Sequence, residues 1–202
     1  MLFGYATLSI LQDVDQPSIY AVVWNLVCGL EVRDFNQEGL GMLFHVHLMH
    51  QFFDSLRSLA VTYPAWLMTE ARDAWTHNVQ NNNTVSRSHQ ELASVIESLG
   101  VQHKVERITA DGCFSMDIYL PEHDVAVEFD GPSHYYHNSD SSSSRDALMT
   151  RTAKTELRDL FLAKQCAKVV TVPWFEWRAL HSPEARSAYV KKKFVKEAGV
   201  DV

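Results

Sequence analysis

Residues 125–135, VAVEFDGPSHY, place two acids inside an apolar stretch. Glu128 and Asp130 are two positions apart, so in a β-strand both side chains point to the same face of the sheet. An ionised carboxylate is costly to bury unless it meets a partner charge, hydrogen-bond donors or a metal ion. The stretch therefore predicts a strand whose acids have a defined partner, and His134 follows in the same motif.

A third acid, Asp117, lies near the end of the preceding alternating stretch, CFSMDIYL. A hairpin between the two stretches would bring Asp117 next to Glu128 and Asp130 at one edge of the sheet. Three convergent carboxylates can bind Mg²⁺ or Mn²⁺, and such an ion can activate water to cleave a phosphodiester. The alternative is structural: Glu128 would be the buried partner of a basic residue, and Asp130 would hydrogen-bond the backbone of a tight turn.

The elements that must position these acids follow from the periodicity of the apolar residues. From Ser88 onwards the pattern predicts, in order, a helix, three strands, a helix, a strand and a helix. Ser88 and Glu91 form a candidate capping box, Gly100 ends that helix, and Ser182 caps the last one. The predicted strands cover residues 101–108, 113–120, 125–131 and 168–173, and the predicted helices cover residues 18–30, 39–60, 64–79, 88–100, 147–164 and 182–199.

Two motifs in this order resemble the RAP domain, a branch of the PD-(D/E)xK nuclease superfamily. They are DIYLPEHDVAVEFDGPSHY and KVVTVPWFEW, and the resemblance covers residues 114–180, about a third of the chain. The RAP pattern is an apolar strand, Glu-x-Asp-Gly-Pro-x-His, a helix, and an apolar strand that closes on Pro-x-x-x-Trp. The resemblance implies an α+β fold: a helical region over residues 1–87, then a restriction-endonuclease-like mixed sheet flanked by helices over residues 88–202.

The resemblance implies two alternative activities for the acids. The nuclease superfamily places a lysine two residues after the glutamate, where this sequence has Asp130. In a nuclease, Asp117, Glu128, Asp130 and His134 would be catalytic, Asp117 and Glu128 would hold Mg²⁺, and Lys154 could replace the missing lysine in space. Without that activity the acids would belong to a scaffold, and the chain would need no cofactor.

The RAP resemblance itself implies RNA binding in organellar RNA metabolism, in mitochondria or alternatively in plastids. The protein would be a mitochondrial ribosome component in contact with rRNA, or a maturation factor for rRNA or mRNA. A third alternative is a protein-interaction scaffold, which the acidic helical half favours. The partners we expect are RNA and other proteins of a ribonucleoprotein complex, with no membrane.

The distribution of charge favours RNA binding by the C-terminal part. Residues 145–202 carry 12 Lys+Arg and 7 Asp+Glu, a net charge of +5, although the whole chain has −7. Basic side chains on a predicted helix face and in the run YVKKKFVK are candidate phosphate ligands, and Trp174 could stack on an unpaired base. Trp177 is predicted to lie in the core. The predicted RNA-binding residues are Arg151, Lys154, Arg158, Trp174, Lys191, Lys192 and Lys193.

Other features argue against several classes of protein. The three cysteines lack the spacing of a zinc site and do not form a disulfide framework, and no apolar run is long enough to span a membrane. His45, His47 and His50 fall on different faces of a predicted helix, which favours core or surface histidines over a zinc site. The first 16 residues contain neither Arg nor Lys, so no transit peptide is visible.

Overall fold

The structure is a computed structural model that describes residues 1–12, 19–57, 62–81, 85–136 and 150–201. The backbone divides into two compact units, Met1–Asn82 and Asn83–Val202. The predicted domain boundary between residues 87 and 88 stays a prediction. Among the helices in the described ranges, none combines the length and the apolar character needed to cross a bilayer.

The elements that the structure describes in the first unit are all helical. Asn36 caps its longest apolar helix by accepting a hydrogen bond from the Gly39 amide at 2.7 Å. The helix predicted over residues 39–60 is confirmed as two helices, Gln37–Phe52 and Asp54–Arg57, which are separated by Phe53. The pattern did not single out the first helix. The elements are α1 (Leu2–Gln12), α2 (Ile19–Cys28), a 3₁₀ turn (Val32–Asp34), α3 (Gln37–Phe52), α4 (Asp54–Arg57) and α5 (Ala65–Asn81).

His50 is a buried residue of α3 that lies between two tyrosines. Its Nε2 is 2.6 Å from the Tyr20 hydroxyl, and its Nδ1 is 3.5 Å from the Tyr63 hydroxyl. Burial lowers the pKa of His50 to about 4, and His47 is the second cause. At neutral pH the imidazole is therefore an uncharged core group that satisfies buried hydroxyls.

Acidification is expected to destabilise the first unit through His50. The His50 imidazole titrates near pH 6.5 in the unfolded chain and near pH 4 in the folded one. The stabilisation that depends on neutral His50 is therefore complete above pH 6.5 and is lost as the pH falls toward 4. About 2 kcal/mol should be lost by pH 5. Urea titrations of the full chain at pH 7.5 and pH 5 should show this loss in the wild type and a smaller one in His50→Gln. The exposed His77→Gln should behave as the wild type, and equal pH dependence in all three proteins would contradict the assignment.

The second unit contains a four-stranded mixed sheet in the order β1-β2-β3-β4. The first three strands are antiparallel neighbours, whereas β3 and β4 run parallel. A parallel pair needs a crossover, and α7 (Ala153–Leu162) provides it. The predicted α+β class and the mixed sheet with flanking helices are confirmed, and the restriction-endonuclease-like details stay a prediction. The strands are β1 (Lys104–Ile108), β2 (Ser115–Leu120), β3 (Val125–Asp130) and β4 (Lys168–Pro173).

Two helix starts differ from the prediction. Ser86, not Ser88, caps α6 (Arg87–Ser98), because its hydroxyl accepts a hydrogen bond from the His89 amide at 3.2 Å. Residues 147–149 of the helix predicted over 147–164 lie outside the described residues, and the described part of that helix begins at Ala153, where Thr152 is the cap. The predicted end of α6 is confirmed, since Gly100 has a φ of 76° that favours glycine. The remaining elements are α8 (Trp174–Arg178), α9 (Pro183–Lys193), which Ser182 caps as predicted, and a π-helical turn (Phe194–Ala198).

Both faces of β3 are buried, as expected for an inner strand between two neighbours. One face carries Val125, Val127 and Phe129, which join a core built with α6, β4 and α9. Trp177 belongs to the same core, as predicted. The opposite face of β3 carries the acids, and their partners come from α7 and from the residues before it.

Candidate functional site

Asp117 and Glu128 join β2 and β3 through their side chains at the point where the backbone pairing of the two strands ends. The β2–β3 ladder pairs Ile118 with Val127, which places Asp117 opposite Glu128. The Asp117 amide donates to Glu128 Oε1 at 3.1 Å, and the Phe129 amide donates to Asp117 Oδ2 at 2.8 Å. The carboxylates thus accept from backbone N–H groups where the ladder stops.

Asp117 lies beside Glu128 as predicted, and Asp130 follows on the same face of β3, but the predicted location of the acids at a sheet edge is wrong. Asp117 lies on β2 and Glu128 and Asp130 lie on β3, and these are the two inner strands of the sheet. Glu128 and Asp130 are 3% and 1% exposed. The reason is topological: β4 pairs with β3 on the side away from β2, so the acidic strand acquires neighbours on both sides.

Arg158 is the charge partner of Asp117 and Glu128. From α7 its Nη2 lies 2.6 Å from Glu128 Oε2 and 3.5 Å from Asp117 Oδ1. The same nitrogen donates to the Ser115 carbonyl at 2.8 Å. One guanidinium therefore ties α7 to both inner strands.

Asp130 has its own cationic partners. His134 Nδ1 lies 2.7 Å from Asp130 Oδ1, and Arg151 Nη2 lies 2.9 Å from Asp130 Oδ2 in an ionic contact without hydrogen-bond geometry. Arg151 also donates to Asp159 Oδ2 at 2.7 Å, and the Thr171 hydroxyl donates to the same oxygen at 3.2 Å. The turn interpretation of Asp130 is therefore replaced by a network with a histidine and an arginine.

Burial and charge oppose each other in these pairs. Burial raises the pKa of Glu128 to about 8, and Arg158 is the main influence that lowers it. Burial lowers the pKa of the Arg158 guanidinium, but the carboxylates of Glu128 and Asp117 outweigh that effect and raise it overall. Burial likewise raises the pKa of Asp159 against the lowering effect of Arg151. Each arginine thus limits the penalty for burying the acids next to it.

The arrangement fits a set of buried ion pairs and does not fit Mg²⁺ held by Asp117 and Glu128. A hard cation needs several carboxylate or water oxygens around it, whereas Glu128 directs one oxygen to a guanidinium and the other to a backbone amide. A guanidinium at 2.6 Å would also repel a dication at the same oxygen. The interpretation of Glu128 as the buried partner of a basic residue accounts for its contacts.

The predicted RNA-binding residues fall into two groups. Arg151 and Arg158 contact the acids described above, and Arg151 precedes α7 instead of lying on it with Arg158. Lys193 pairs with Glu197 at 3.0 Å. In contrast, Lys154, Lys191 and Lys192 are exposed. Trp174 is partly buried and packs against the core.

The sequence analysis missed three features of this site. It did not include Asp159, which shares Arg151 with Asp130, although the acid directly follows Arg158 in the sequence. It also missed Ser115 and Thr171, which contact Arg158 and Asp159 of α7 across long distances in the sequence. The detectable signal was the pair Arg151 and Arg158, just before α7 and on it, which follows the acidic strand in the sequence and indicates ion pairing as readily as phosphate binding.

Comparison with known families identifies part of the second unit. A sequence model of the RAP domain matches residues 127–193, from the middle of β3 to the end of α9. The match includes Glu128, Asp130, both arginines of the ion-pair network and the buried Trp177. No curated protein matches the chain. RAP domains are generally associated with RNA binding, and this chain carries a RAP domain over residues 127–193.

Proposed function

We propose that this protein binds RNA in organellar RNA metabolism, in mitochondria or alternatively in plastids. It would act as a mitochondrial ribosome component in contact with rRNA, or as a maturation factor for rRNA or mRNA. Other proteins of a ribonucleoprotein complex would be its neighbours. The observation that carries the proposal is the RAP domain match, whose segment ends in a run of three lysines, of which Lys191 and Lys192 are exposed.

The surface we propose for the phosphates is the end of the last helix. Lys191 and Lys192 are exposed there, and Lys196 is exposed one turn further on. Lys193 lies over the Tyr189 ring, with its Nζ 5.6 Å from the ring centre, and is held by Glu197. We therefore place Lys193 in a supporting role and the other three lysines, the terminal lysine set, in contact with RNA.

The two arginines predicted to bind RNA are a weaker choice for phosphate contact. Arg158 neutralises Glu128 and Asp117, and Arg151 neutralises Asp130 and Asp159. Moving either guanidinium to a phosphate would leave a buried carboxylate without its partner, which is costly. Lys154 is exposed on α7 and remains a candidate next to the terminal lysine set.

We propose that the protein binds RNA without cleaving it and without a catalytic cofactor. The carboxylates that a nuclease would use already face arginines, a histidine and backbone amides. Incubating labelled RNA with the protein and Mg²⁺ or Mn²⁺ checks this directly on a denaturing gel. Metal-dependent shortening of the RNA that disappears in Glu128→Gln would overturn the non-enzymatic proposal.

Replacing the terminal lysine set by alanine is expected to weaken RNA binding by at least about tenfold. Each lysine that neutralises a phosphate releases counterions, so the triple variant should also lower the slope of log affinity against log salt by about 2–3. Fluorescence anisotropy of a single-stranded RNA, titrated with the full chain at several salt concentrations, gives both quantities.

The matched control removes the same number of charges elsewhere. Lys104, Lys164 and Lys168 are exposed and lie outside the last helix, and their triple alanine variant should keep both the affinity and the slope. If both triple variants lose affinity equally, the protein attracts RNA only through its overall charge. Unchanged affinity in the terminal variant would remove this surface from the proposal.

A further inference from the structure

Three potential metal ligands from different elements meet beside the ion-pair network. They are His89 on α6, Glu106 on β1 and Asp117 on β2, and one ligand atom from each lies within 4.8 Å of the others. Glu128 and Asp130 take no part in this cluster. A site here would involve the edge strand β1 and the first helix of the unit, both of which precede the matched segment.

The protonation of His89 is fixed by its contact with a backbone carbonyl. His89 is 3% exposed, and its Nε2 is 2.9 Å from the Asp117 carbonyl oxygen. A carbonyl only accepts, so Nε2 carries the proton and donates it. In a neutral imidazole this leaves the Nδ1 lone pair free for another group. Metal-bound histidines usually have this arrangement, since the second ring nitrogen donates to a carbonyl or a carboxylate.

The Nδ1 atom faces a carboxylate. Glu106 Oε1 lies 3.4 Å from His89 Nδ1, so a neutral imidazole would direct a lone pair at a negative oxygen. Such a contact is unfavourable unless a proton or a metal cation lies between the atoms. Two ligands of a tetrahedral zinc ion, each about 2.1 Å from the metal, are about 3.4 Å apart. The observed separation therefore equals the spacing of two ligands on one zinc ion.

The carboxylates are held in position to complete the set. The Ser115 hydroxyl donates to Glu106 Oε2 at 3.2 Å, which leaves Oε1 directed at the imidazole. Glu106 has a φ of 53°, a backbone conformation that is uncommon for a residue other than glycine and that structures retain where a side chain must be aimed. Asp117 accepts from the Phe129 amide through Oδ2. Its Oδ1 lies 3.5 Å from Arg158 Nη2, farther than the 2.6 Å between that nitrogen and Glu128 Oε2, and keeps lone pairs for a metal.

We propose that His89, Glu106 and Asp117 bind a first-row divalent cation of the zinc type. One imidazole nitrogen and two carboxylates suit Zn²⁺ or Mn²⁺ better than Mg²⁺, which prefers an all-oxygen shell. The ion would join α6, β1 and β2, and would fasten an edge strand whose outer residues are exposed. The proposal does not depend on RNA binding, because none of its ligands lies in the terminal lysine set.

The test is a zinc titration of the full chain after removal of metals with a chelator. Calorimetry should show one high-affinity equivalent of Zn²⁺ in the wild type, and an excess of Mg²⁺ should not compete. His89→Gln keeps a donor for the Asp117 carbonyl but removes the Nδ1 ligand, and Glu106→Gln removes one carboxylate. Each variant should bind Zn²⁺ at least roughly tenfold more weakly. If His89→Gln does not fold, Glu106→Gln decides the question, since its side chain is on the exposed edge strand.

A matched control separates this site from adventitious binding to other histidines. His123 and Glu122 are exposed in the turn between β2 and β3, and the double variant His123→Gln/Glu122→Gln should bind Zn²⁺ as the wild type does. Co²⁺ titration should give visible absorption bands that His89→Gln loses. Absence of one-equivalent binding in the wild type, or equal binding in all variants, would overturn the proposal.

Discussion

Arg158→Met is expected to lower the free energy of opening of the β2–β3 pair by about 3–5 kcal/mol. Arg158 lies 2.6 Å from Glu128 Oε2, and Glu128 is almost fully buried. Methionine fills a similar volume without charge, so the main change is that Glu128 loses its partner. Hydrogen exchange followed by mass spectrometry on peptides of β2 and β3 measures this local free energy in the full chain.

The loss in Arg158→Met should increase with pH. Burial already raises the pKa of Glu128 to about 8, and removal of Arg158 removes the main opposing influence. A folded pKa above the unfolded one gives stability that is complete below the unfolded pKa and is lost as the pH rises through the folded one. Because the wild-type carboxyl titrates near pH 8 and that of the variant higher still, the deficit of the variant should grow above pH 8 and be larger at pH 9 than at pH 7. A loss that is constant or decreases over this range would show that Glu128 is not the source.

The double variant Arg158→Met/Glu128→Gln isolates the ion pair. Glutamine has nearly the shape of glutamate and no charge, so the double variant should recover a large part of the loss and its pH dependence. Arg178→Met is the matched control, because Arg178 is exposed on α8, and it should change stability by less than about 0.5 kcal/mol. A double variant as unstable as Arg158→Met would contradict a pairing role for Arg158.

Trp177→Ala is expected to destabilise the second unit by about 3–5 kcal/mol. Trp177 is 2% exposed, and the centre of its ring lies 6.3 Å from the centre of the Tyr189 ring. The central carbon of the Arg186 guanidinium lies 5.0 Å from the centre of the Trp177 ring. Alanine would leave a large cavity between β4, α8 and α9, where the surrounding core cannot fully collapse. Urea unfolding of the full chain gives the change in the free energy of unfolding.

Trp177→Phe should be much better tolerated. The indole Nε1 of Trp177 is buried without a hydrogen-bond partner among the described residues, so phenylalanine removes volume and no hydrogen bond. Trp174→Ala, three residues earlier and only partly buried, should lose less than Trp177→Ala. A loss in Trp177→Phe as large as that in Trp177→Ala would show that the nitrogen has a partner and that burial of the ring alone does not explain the residue.

The RAP pattern can be understood largely as a packing and ion-pair pattern. Its Glu-x-Asp pair supplies the buried acids Glu128 and Asp130, and its histidine, His134, contacts Asp130. The closing Pro-x-x-x-Trp of the pattern marks the end of β4 at Pro173 and the buried Trp177 one turn into α8. None of these contacts requires RNA, which explains why we place RNA binding on the exposed lysines.

Several elements could be predicted from the sequence because local rules determine them. The alternating stretches predicted β1, β2 and β3. Gly100 was recognised as the end of α6 because the position after a helix often has a positive φ, as Gly100 does, and glycine adopts it without strain. Ser182 was recognised as a cap because a hydroxyl before Pro-Glu satisfies the first amides of α9. Helix starts at Ser86 and Thr152 were missed because several hydroxyl-bearing residues lie nearby, and only the folded backbone selects which one reaches an amide.

By itself the sequence determined that Glu128 and Asp130 share one face of a strand, since alternation in an extended chain requires it. It did not determine what these acids face. Arg158 lies 30 residues after Glu128 in the chain, and a charge pattern allows it to bind a carboxylate or a phosphate equally well. Only the packing of α7 against the inner strands brought the guanidinium within 2.6 Å of Glu128. The tertiary structure decided this because desolvation makes an unpaired buried charge far more costly than an unpaired exposed one.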